Sequence, residues 1–380
     1  TDKIYKKRLS EQFDVFSGNS DLYCLFFEKC NELLNNNGIL SFITSNKWLK
    51  SKYGELLRNY FLNNCELINV IDFRALQIFK KASVDTSITI LKKGEFQNLN
   101  ACQIDSLAEY RDLEQTIKNK SIETKKSSLS GPWVISNKLN LELLAMIKDI
   151  KNKIYFKREK FRYGIKTGLN KAFLIDANMR KNLINLDKKN SDILKPVLKG
   201  DNLNRFSFND TKNFLIYIPW HFPLHNDGIK GASNEAEKKF KKTYKVLYEY
   251  LYKFHSELKK RNKSETGIRY EWYALQRAAS TYVNDFFKPK VAWMNMNRGW
   301  KFSYIPKNYF IEASLNFIAD EDYAKYLVGI YSSNLHKWYF KQVGRMFDDG
   351  GYMCKVDTIA EFPVVRPTDK QKSKVDRIVV

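Results

Sequence analysis

The sequence has few cysteines, no long apolar run and no glycine-rich loop. Its five cysteines follow no C-x-x-C spacing, which argues against a zinc ribbon or a disulfide framework, so we expect reduced thiols in a cytosolic protein. No apolar stretch approaches the ~20 residues of a membrane helix, and we expect no membrane partner. None of the 16 glycines forms a G-x-G, and no G-x-x-x-x-G-K-[ST] loop occurs, so the usual cradles for a dinucleotide or a nucleotide phosphate are missing.

Candidate metal ligands are equally sparse. No proline is followed by aspartate, which removes the commonest form of a nuclease metal site. His221 and His225 are four residues apart, but Pro219 and Pro223 prevent the helix that would place both on one face. We therefore predict loop residues here and no metal site.

The charge is strongly one-sided. The 65 lysines and arginines against 42 aspartates and glutamates give a net charge of +23, which is the pattern expected for a partner that carries phosphates. A generally lysine-rich protein with solvated lysines is the alternative. The 14% aromatic content, interleaved with the basic residues, favours nucleic acid, and 43% hydrophobic residues are enough for two or three domains.

The first third of the chain alternates helical and strand patterns. Residues 21–37 have apolar positions at helical spacing, with Ser20 as the expected cap and Gly38 as the expected end. Residues 39–44, 66–73 and 84–91 are apolar runs typical of strands, and a second helix is expected after Asn46. The alternation predicts an α/β sheet of about four strands covered by helices.

A polar, lysine- and serine-rich stretch ending in Gly131-Pro132 predicts a connector. We accordingly expect four segments, which are residues 1–125, a connector and helix over 126–154, a second domain over 155–365 and a tail over 366–380. Within the second domain, residues 235–262 have the spacing of one long helix. We expect its apolar stripe to pack in the core.

Several runs resemble TaqI-like adenine-specific DNA methyltransferases. Residues 20–23, 37–49 and 53–54 are similar to the stretch that follows the Asn-Pro-Pro-Tyr loop of that family. Residues 78–88 are similar to a later family motif, in which an aromatic residue packs against the flipped target adenine. The resemblance assigns that position to Phe79.

The second half resembles the TaqI-like C-terminal specificity domain. Residues 163–173 are similar to the first strand-loop-strand of that domain, and two glycines free a loop that carries two lysines and a threonine. Further similar segments follow in the family's order, at residues 195–203, 270–277, 290–293, 326–340 and 357–364. Order over some 300 residues makes the resemblance specific.

The resemblance implies the C-terminal part of a type IIG restriction-modification enzyme. The expected fold class is α/β, with a partial Rossmann-like methyltransferase sheet followed by a mixed α+β target recognition domain. The parent enzyme would use S-adenosylmethionine. This chain has neither the glycine turn for that donor nor any Pro-Pro pair, so we expect it to bind no cofactor and to be inactive alone. It would be a piece of a larger enzyme or a split product, and its partner would be the missing N-terminal half or a catalytic subunit.

An enzyme that acts on a base must extrude it from the duplex, and an aromatic face offsets the lost stacking by ~1–3 kcal/mol. From the sequence alone, a phenylalanine just before a strand is more often a core residue. The resemblance favours stacking for Phe79.

The resemblance also implies contacts with duplex DNA. Lysine and arginine would contact phosphates, and polar side chains would contact base edges in the major groove. The candidates are Lys166, Thr167, Asn170, Lys171, Lys199, Asn202, Arg205, Gln276, Arg277, Asn297, Arg298 and Arg345. Two alternatives stay open, a non-catalytic DNA-specificity subunit and an RNA-binding or RNA-modifying protein, which the same charge and aromatics would serve.

Overall fold

The computed structural model describes residues 3–74, 76–81, 84–126, 129, 131–151, 153–154, 156, 158–225, 228–261, 270–344 and 351–379. The chain divides into two compact units. Unit 1 is Thr1–Lys151 with Trp338–Met353, and unit 2 is Asn152–Lys337 with Cys354–Val380. Within the described ranges, no helix is both long enough and apolar enough to cross a membrane.

Helices and strands are both distributed along the described parts of the chain. The α-helices are α1 Lys3–Gln12, α2 Leu22–Leu33, α3 Glu55–Asn64, α4 Leu107–Arg111, α5 Leu113–Lys120, α6 Lys138–Asp149, α7 Asn170–Phe173, α8 Ala177–Leu186, α9 Asn234–Thr243, α10 Lys245–Tyr252, α11 His255–Lys259, α12 Ala324–Tyr331, α13 Asn334–Val343, α14 Val356–Ala360 and α15 Asp369–Ile378. The strands are β1 Ile39–Ser45, β2 Cys65–Asp72, β3 Thr86–Lys93, β4 Asn98–Gln103, β5 Ile122–Lys125, β6 Lys153–Ile154, β7 Phe161–Tyr163, β8 Leu174–Asp176, β9 Leu194–Leu198, β10 Asn213–Ile216, β11 Lys290–Met294, β12 Met296–Asn297, β13 Phe302–Ile305, β14 Phe310–Ile311, β15 Leu315–Ala319, β16 Tyr352–Met353 and β17 Val364–Val365. Short 3-10 helices cover Asn46–Leu49, Lys52–Gly54, Arg158–Lys160, Lys188–Asp192, Gly200–Asn202 and Ser280–Phe287.

Unit 1 is built on a five-stranded mixed sheet in the order β1-β3-β2-β4-β5. β2 and β4 are parallel, and the other neighbours are antiparallel. The predicted α/β class is confirmed. The three strands expected from the sequence are present within one or two residues, and β4 and β5 extend the sheet beyond the expected four strands.

The predicted ends of the first two helices need correction. Asp21, not Ser20, caps α2 by accepting a hydrogen bond from the Leu22 amide, and α2 ends at Leu33. Asn46 opens no long helix, because the chain makes two 3-10 turns before α3. A Cβ on Gly54 would lie 2.2 Å from the Trp48 carbonyl oxygen, so only glycine permits this close packing.

The core of unit 1 is aromatic. Trp48 is fully buried and packs edge-on against Trp133 and Phe61, with ring centroids 5.4 and 5.2 Å apart. Trp133 also receives a backbone tie, because its amide donates to the Leu49 carbonyl over 2.7 Å. The connector after β5 is therefore anchored to the sheet domain.

Unit 2 contains two four-stranded sheets, in the orders β14-β9-β10-β8 and β13-β11-β15-β7. The second sheet is antiparallel throughout, whereas β14 and β9 are parallel. Phe286 and Phe310 stack in the core with centroids 4.8 Å apart. The mixed α+β arrangement expected for this half is confirmed.

The single long helix expected over residues 235–262 is wrong. The chain forms α9, α10 and α11. Tyr244 leaves the helical region between α9 and α10, at φ −126° and ψ 53°, and Phe254 does so before α11, at φ −104° and ψ 7°. The expected core role of its apolar stripe is confirmed, since Phe240, Leu247 and Leu251 are fully buried. The break turns one stripe into several short faces around the same core.

Residues 366–380, expected as a tail, include α15. A capping box between Thr368 and Gln371 begins this helix. A Cβ on Gly329 of α12 would lie 2.3 Å from the Val375 side chain. α15 therefore packs on α12 within unit 2.

Candidate nucleic-acid interface

The loop at residues 166–171 lies beside residues 276–277. The Lys166 amide donates to the Arg277 carbonyl over 3.1 Å, and the Arg277 amide donates back to the Lys166 carbonyl over 2.9 Å. Arg277 is exposed, and Lys166 is partly exposed. Two candidate cations that stand 111 positions apart in the sequence are thus direct neighbours in an antiparallel pair.

The loop is held in a fixed shape. Gly168 has a φ of +77°, which a side chain would strain, and its ideal Cβ would lie 2.7 Å from Arg261 Cδ. The buried Thr167 hydroxyl donates to Asn170 Oδ1 over 2.5 Å. Asn170 is exposed and is the first residue of α7, so the helix fixes the position of its backbone.

A chain of backbone hydrogen bonds extends this pair sideways. The Ile165 amide donates to the Ile311 carbonyl over 2.7 Å, and the Glu312 amide donates to the Leu198 carbonyl over 3.0 Å. Ile165 pairs with Glu312 and Ile311 pairs with Leu198, so these three segments lie side by side. The sequence order gave no indication of this arrangement.

The turn after β9 uses its polar side chains internally. Asn202 Oδ1 accepts from the Lys199 amide over 2.9 Å, and Asn202 Nδ2 donates to the Asn209 carbonyl over 3.3 Å. Arg205 donates to the Ser332 carbonyl over 2.8 Å, although its side chain is largely exposed. Asn202 thus supports the turn. The turn also carries two cations, of which Lys199 is partly exposed and Arg205 is largely exposed.

Besides Thr167, two more of the candidates are buried. Gln276 is 3% exposed, and its side chain packs on Gly168. Asn297 is fully buried, and its amide bridges both polar backbone atoms of Lys301, over 2.8 Å each. This placement favours a supporting role over contact with a ligand for both. Arg298 next to Asn297 is exposed.

Arg345 lies outside the described residues, so its placement as a DNA-contacting residue stays a prediction from the sequence.

Phe79 lies in unit 1, in the loop between β2 and β3. Its side chain is 43% exposed, whereas Phe73 at the start of the same loop is fully buried. The core alternative considered for Phe79 therefore does not apply. Leu76 and Ile78 of this loop pack against a small cluster that contains Phe73 and Ile104.

The base of this loop is fixed by polar contacts that the sequence did not indicate. Asn46 Nδ2 donates to Asp72 Oδ1 over 2.8 Å and to the Arg74 carbonyl over 3.1 Å. Arg74 adopts a left-handed φ of 53° and donates to the Lys341 carbonyl over 2.6 Å. Lys50 Nζ donates to the Gln342 carbonyl over 2.6 Å, and burial lowers the pKa of Lys50 to about 8. Arg74 at the start of the loop and the nearby Lys50 are therefore hydrogen-bonded to Lys341 and Gln342, which belong to the later segment of unit 1, Trp338–Met353.

No group of three or more histidine, cysteine, aspartate or glutamate side chains that could bind a metal occurs among the described residues. His221 and His225 lie in a turn, as predicted, and His221 Nδ1 lies 2.9 Å from Glu271 Oε1.

Known families match both parts of the chain. Residues 1–79 match the Eco57I restriction-modification methylase family, and residues 195–364 match the TaqI-like C-terminal specificity domain. The first part of the chain is thus similar to a restriction-modification methylase, and the second part is similar to a TaqI-like specificity domain. The resemblance found in the sequence is confirmed.

Two curated relatives cover nearly half of this chain. The type II restriction enzyme and methyltransferase RM.Eco57I of Escherichia coli is 26% identical over 45% of this chain and 17% of its own length. The type II methyltransferase M.BstVI of Geobacillus stearothermophilus is 25% identical over 46% of this chain and 34% of its own length. The chain thus spans 17% and 34% of the length of these relatives.

A solved structure shares the fold over the whole chain. The Type IIL restriction-modification enzyme MmeI, determined in complex with DNA, superposes with a TM-score of 0.56 at 15% identity. The match covers 100% of this chain and 46% of that one. Identity this low shows a shared fold alone.

Proposed function

We propose that unit 2 binds duplex DNA in a sequence-specific manner, as the target recognition part of an adenine-specific DNA methyltransferase of a restriction-modification system. The observation that carries this proposal is the pair formed by Lys166 and Arg277, two cations that are partly exposed and exposed and that backbone hydrogen bonds join across 111 positions of sequence. The net charge of +23 supplies the long-range attraction to phosphates.

The exposed candidates divide into two roles. Lys166, Lys171 and Lys199 contact phosphates, while Asn170 and Arg277 contact base edges, because asparagine pairs well with adenine and arginine with guanine. Arg205 and Arg298 are further cationic contacts. Lys171 is held by Glu257 in the free protein, with Nζ 2.7 Å from Oε2, so DNA must compete for it.

Phe79 supplies the stacking face for the extruded adenine. Its 43% exposure leaves a ring surface available for a base, and the ties of Asn46 and Arg74 fix the start of its loop. The methyl donor, S-adenosylmethionine, is bound by a catalytic partner.

The edge of the unit 1 sheet supports such a partner. β1 is the outermost strand, and Ile39 and Ile43 are exposed on it. Exposed Leu22, Phe26 and Leu33 follow one another along α2. An open strand edge beside apolar side chains favours pairing with a further strand.

The test is the salt dependence of duplex binding by the full 380-residue chain. The logarithm of affinity falls with the logarithm of salt concentration by ~0.9 for each phosphate contact. Lys166→Ala and Arg277→Ala should reduce affinity, whereas Lys7→Ala, an exposed lysine of α1 in unit 1, should not. A wild-type slope near zero refutes duplex binding.

Two further arms address the alternatives. Stronger binding of a structured RNA than of duplex DNA in direct competition would favour an RNA-binding protein. The second arm examines the coding sequence next to the one for this chain. If that sequence contains no methyltransferase motif, a non-catalytic specificity subunit is favoured.

A further inference from the structure

Arg261 lies directly behind the loop at residues 166–171. Its guanidinium makes hydrogen bonds to three backbone carbonyls, which are Leu258 over 3.0 Å, Thr167 over 2.9 Å and Trp272 over 2.7 Å. These carbonyls belong to the end of α11, to the loop and to the segment that leads to Arg277. One side chain thus joins the loop at residues 166–171 to two segments that lie much later in the sequence.

Packing reinforces these hydrogen bonds. The guanidinium carbon lies 5.7 Å from the Phe173 ring centroid and 5.3 Å from that of Tyr270. Gly168 approaches the aliphatic part of Arg261 so closely that a Cβ there would lie 2.7 Å from Cδ. Arginine suits this position because its planar fork donates in several fixed directions at once, which lysine cannot do.

Arg261 itself cannot serve as a phosphate contact, since it is only 8% exposed. Burial of its charge also lowers the pKa of Arg261. The buried guanidinium donates its hydrogen bonds to backbone carbonyls of the candidate interface. This arrangement points to a role in holding that interface in place.

We propose that Arg261 is a positioning residue for DNA recognition, which holds the Lys166–Lys171 loop and the Trp272–Arg277 segment together so that their cations meet the duplex as one surface. This inference rests on the proposed function of unit 2. It adds a residue outside the candidate contacts, and it predicts that a buried arginine controls the salt dependence of binding.

The experiment measures the salt slope of duplex binding for the full chain and its variants. Arg261→Ala should lower the slope by about 1 to 2, because each lost phosphate contact removes ~0.9. The slope of Arg261→Lys should lie between those of the wild type and Arg261→Ala, since an ammonium group replaces only part of the guanidinium's hydrogen bonds. In a double-mutant cycle, Lys166→Ala should add little to Arg261→Ala, because both remove the same contact.

Arg58 provides a matched control. It is 4% exposed in unit 1, and its guanidinium likewise donates to the backbone carbonyls of Trp48, Leu49 and Ser51. Arg58→Ala should lower the melting temperature and leave the salt slope unchanged. An Arg261→Ala protein that is less stable but keeps the wild-type slope overturns the proposal.

Gly168→Ala tests the same contact from the loop side, in case Arg261→Ala does not fold. It should lower the slope, whereas Gly131→Ala, which has a similar φ of +70° and no atom within 4 Å of its ideal Cβ, should not. Equal slopes for the two glycine variants overturn the proposal. Absence of salt-dependent binding by the wild type, by contrast, refutes the proposed function itself.

Discussion

Replacing Phe79 by alanine should separate the methylation activity of the complete enzyme from its stability. Stacking of a base on an aromatic ring contributes ~1–3 kcal/mol, which corresponds to a loss of about 5- to 140-fold in kcat/KM for methylation. Phe79 is 43% exposed, so its removal should lower the free energy of unfolding by less than ~2 kcal/mol. Replacing the fully buried Phe73 by alanine should lower the free energy of unfolding by ~3–5 kcal/mol.

The assay uses a complete enzyme that includes this chain, with 2-aminopurine at the target position of the duplex. Wild-type enzyme should raise the fluorescence as the base leaves the stack, and Phe79→Ala should reduce that rise. Phe79→Trp should restore it, since tryptophan offers a similar face. Tyr5→Ala is the control, because Tyr5 is also an exposed aromatic residue of unit 1, at 49%, but lies on α1. An unchanged signal and rate for Phe79→Ala would refute the stacking role.

Two further predictions concern unit 2. Gly164→Ala should lower the melting temperature and weaken duplex binding, because its Cβ would lie 2.1 Å from the Glu312 carbonyl oxygen. Gly18→Ala is the control and should do neither, because no atom lies within 4 Å of its ideal Cβ. Equal melting temperatures for the two variants would contradict this prediction. Burial lowers the pKa of His336 from 6.5 to about 3, so between these values the unfolded chain binds a proton that the native chain does not. Urea unfolding should therefore show stability falling by ~1.4 kcal/mol per pH unit below about 6.5, and His336→Asn should flatten that dependence.

Local patterns were enough to predict α2 and the first three strands of unit 1. β1, β2 and β3 follow from short apolar runs, because strand formation here depends on residues close in sequence. Helix ends were less accurate. Asp21 caps α2 instead of Ser20, and the chain after Asn46 turns twice before α3, since tight packing of Gly54 on Trp48 decides its path.

The break at Tyr244 shows the limit of periodicity. Residues 235–262 keep one apolar stripe at helical spacing, and the sequence alone therefore predicts one helix. The tertiary structure divides it into α9, α10 and α11, whose buried side chains surround a common core. Spacing identified which side chains are buried but not the direction of the chain.

By itself, the sequence determined the charge, the α/β character of the first part, the family resemblance and the set of candidate contacts. Only the tertiary structure decided which candidates are available. It pairs Lys166 with Arg277, buries Gln276 and Asn297, exposes Phe79, and places Arg261 behind the loop. The physical reason is that these arrangements depend on hydrogen bonds to backbone carbonyls of segments remote in sequence, and such bonds leave no mark on the spacing or type of neighbouring residues.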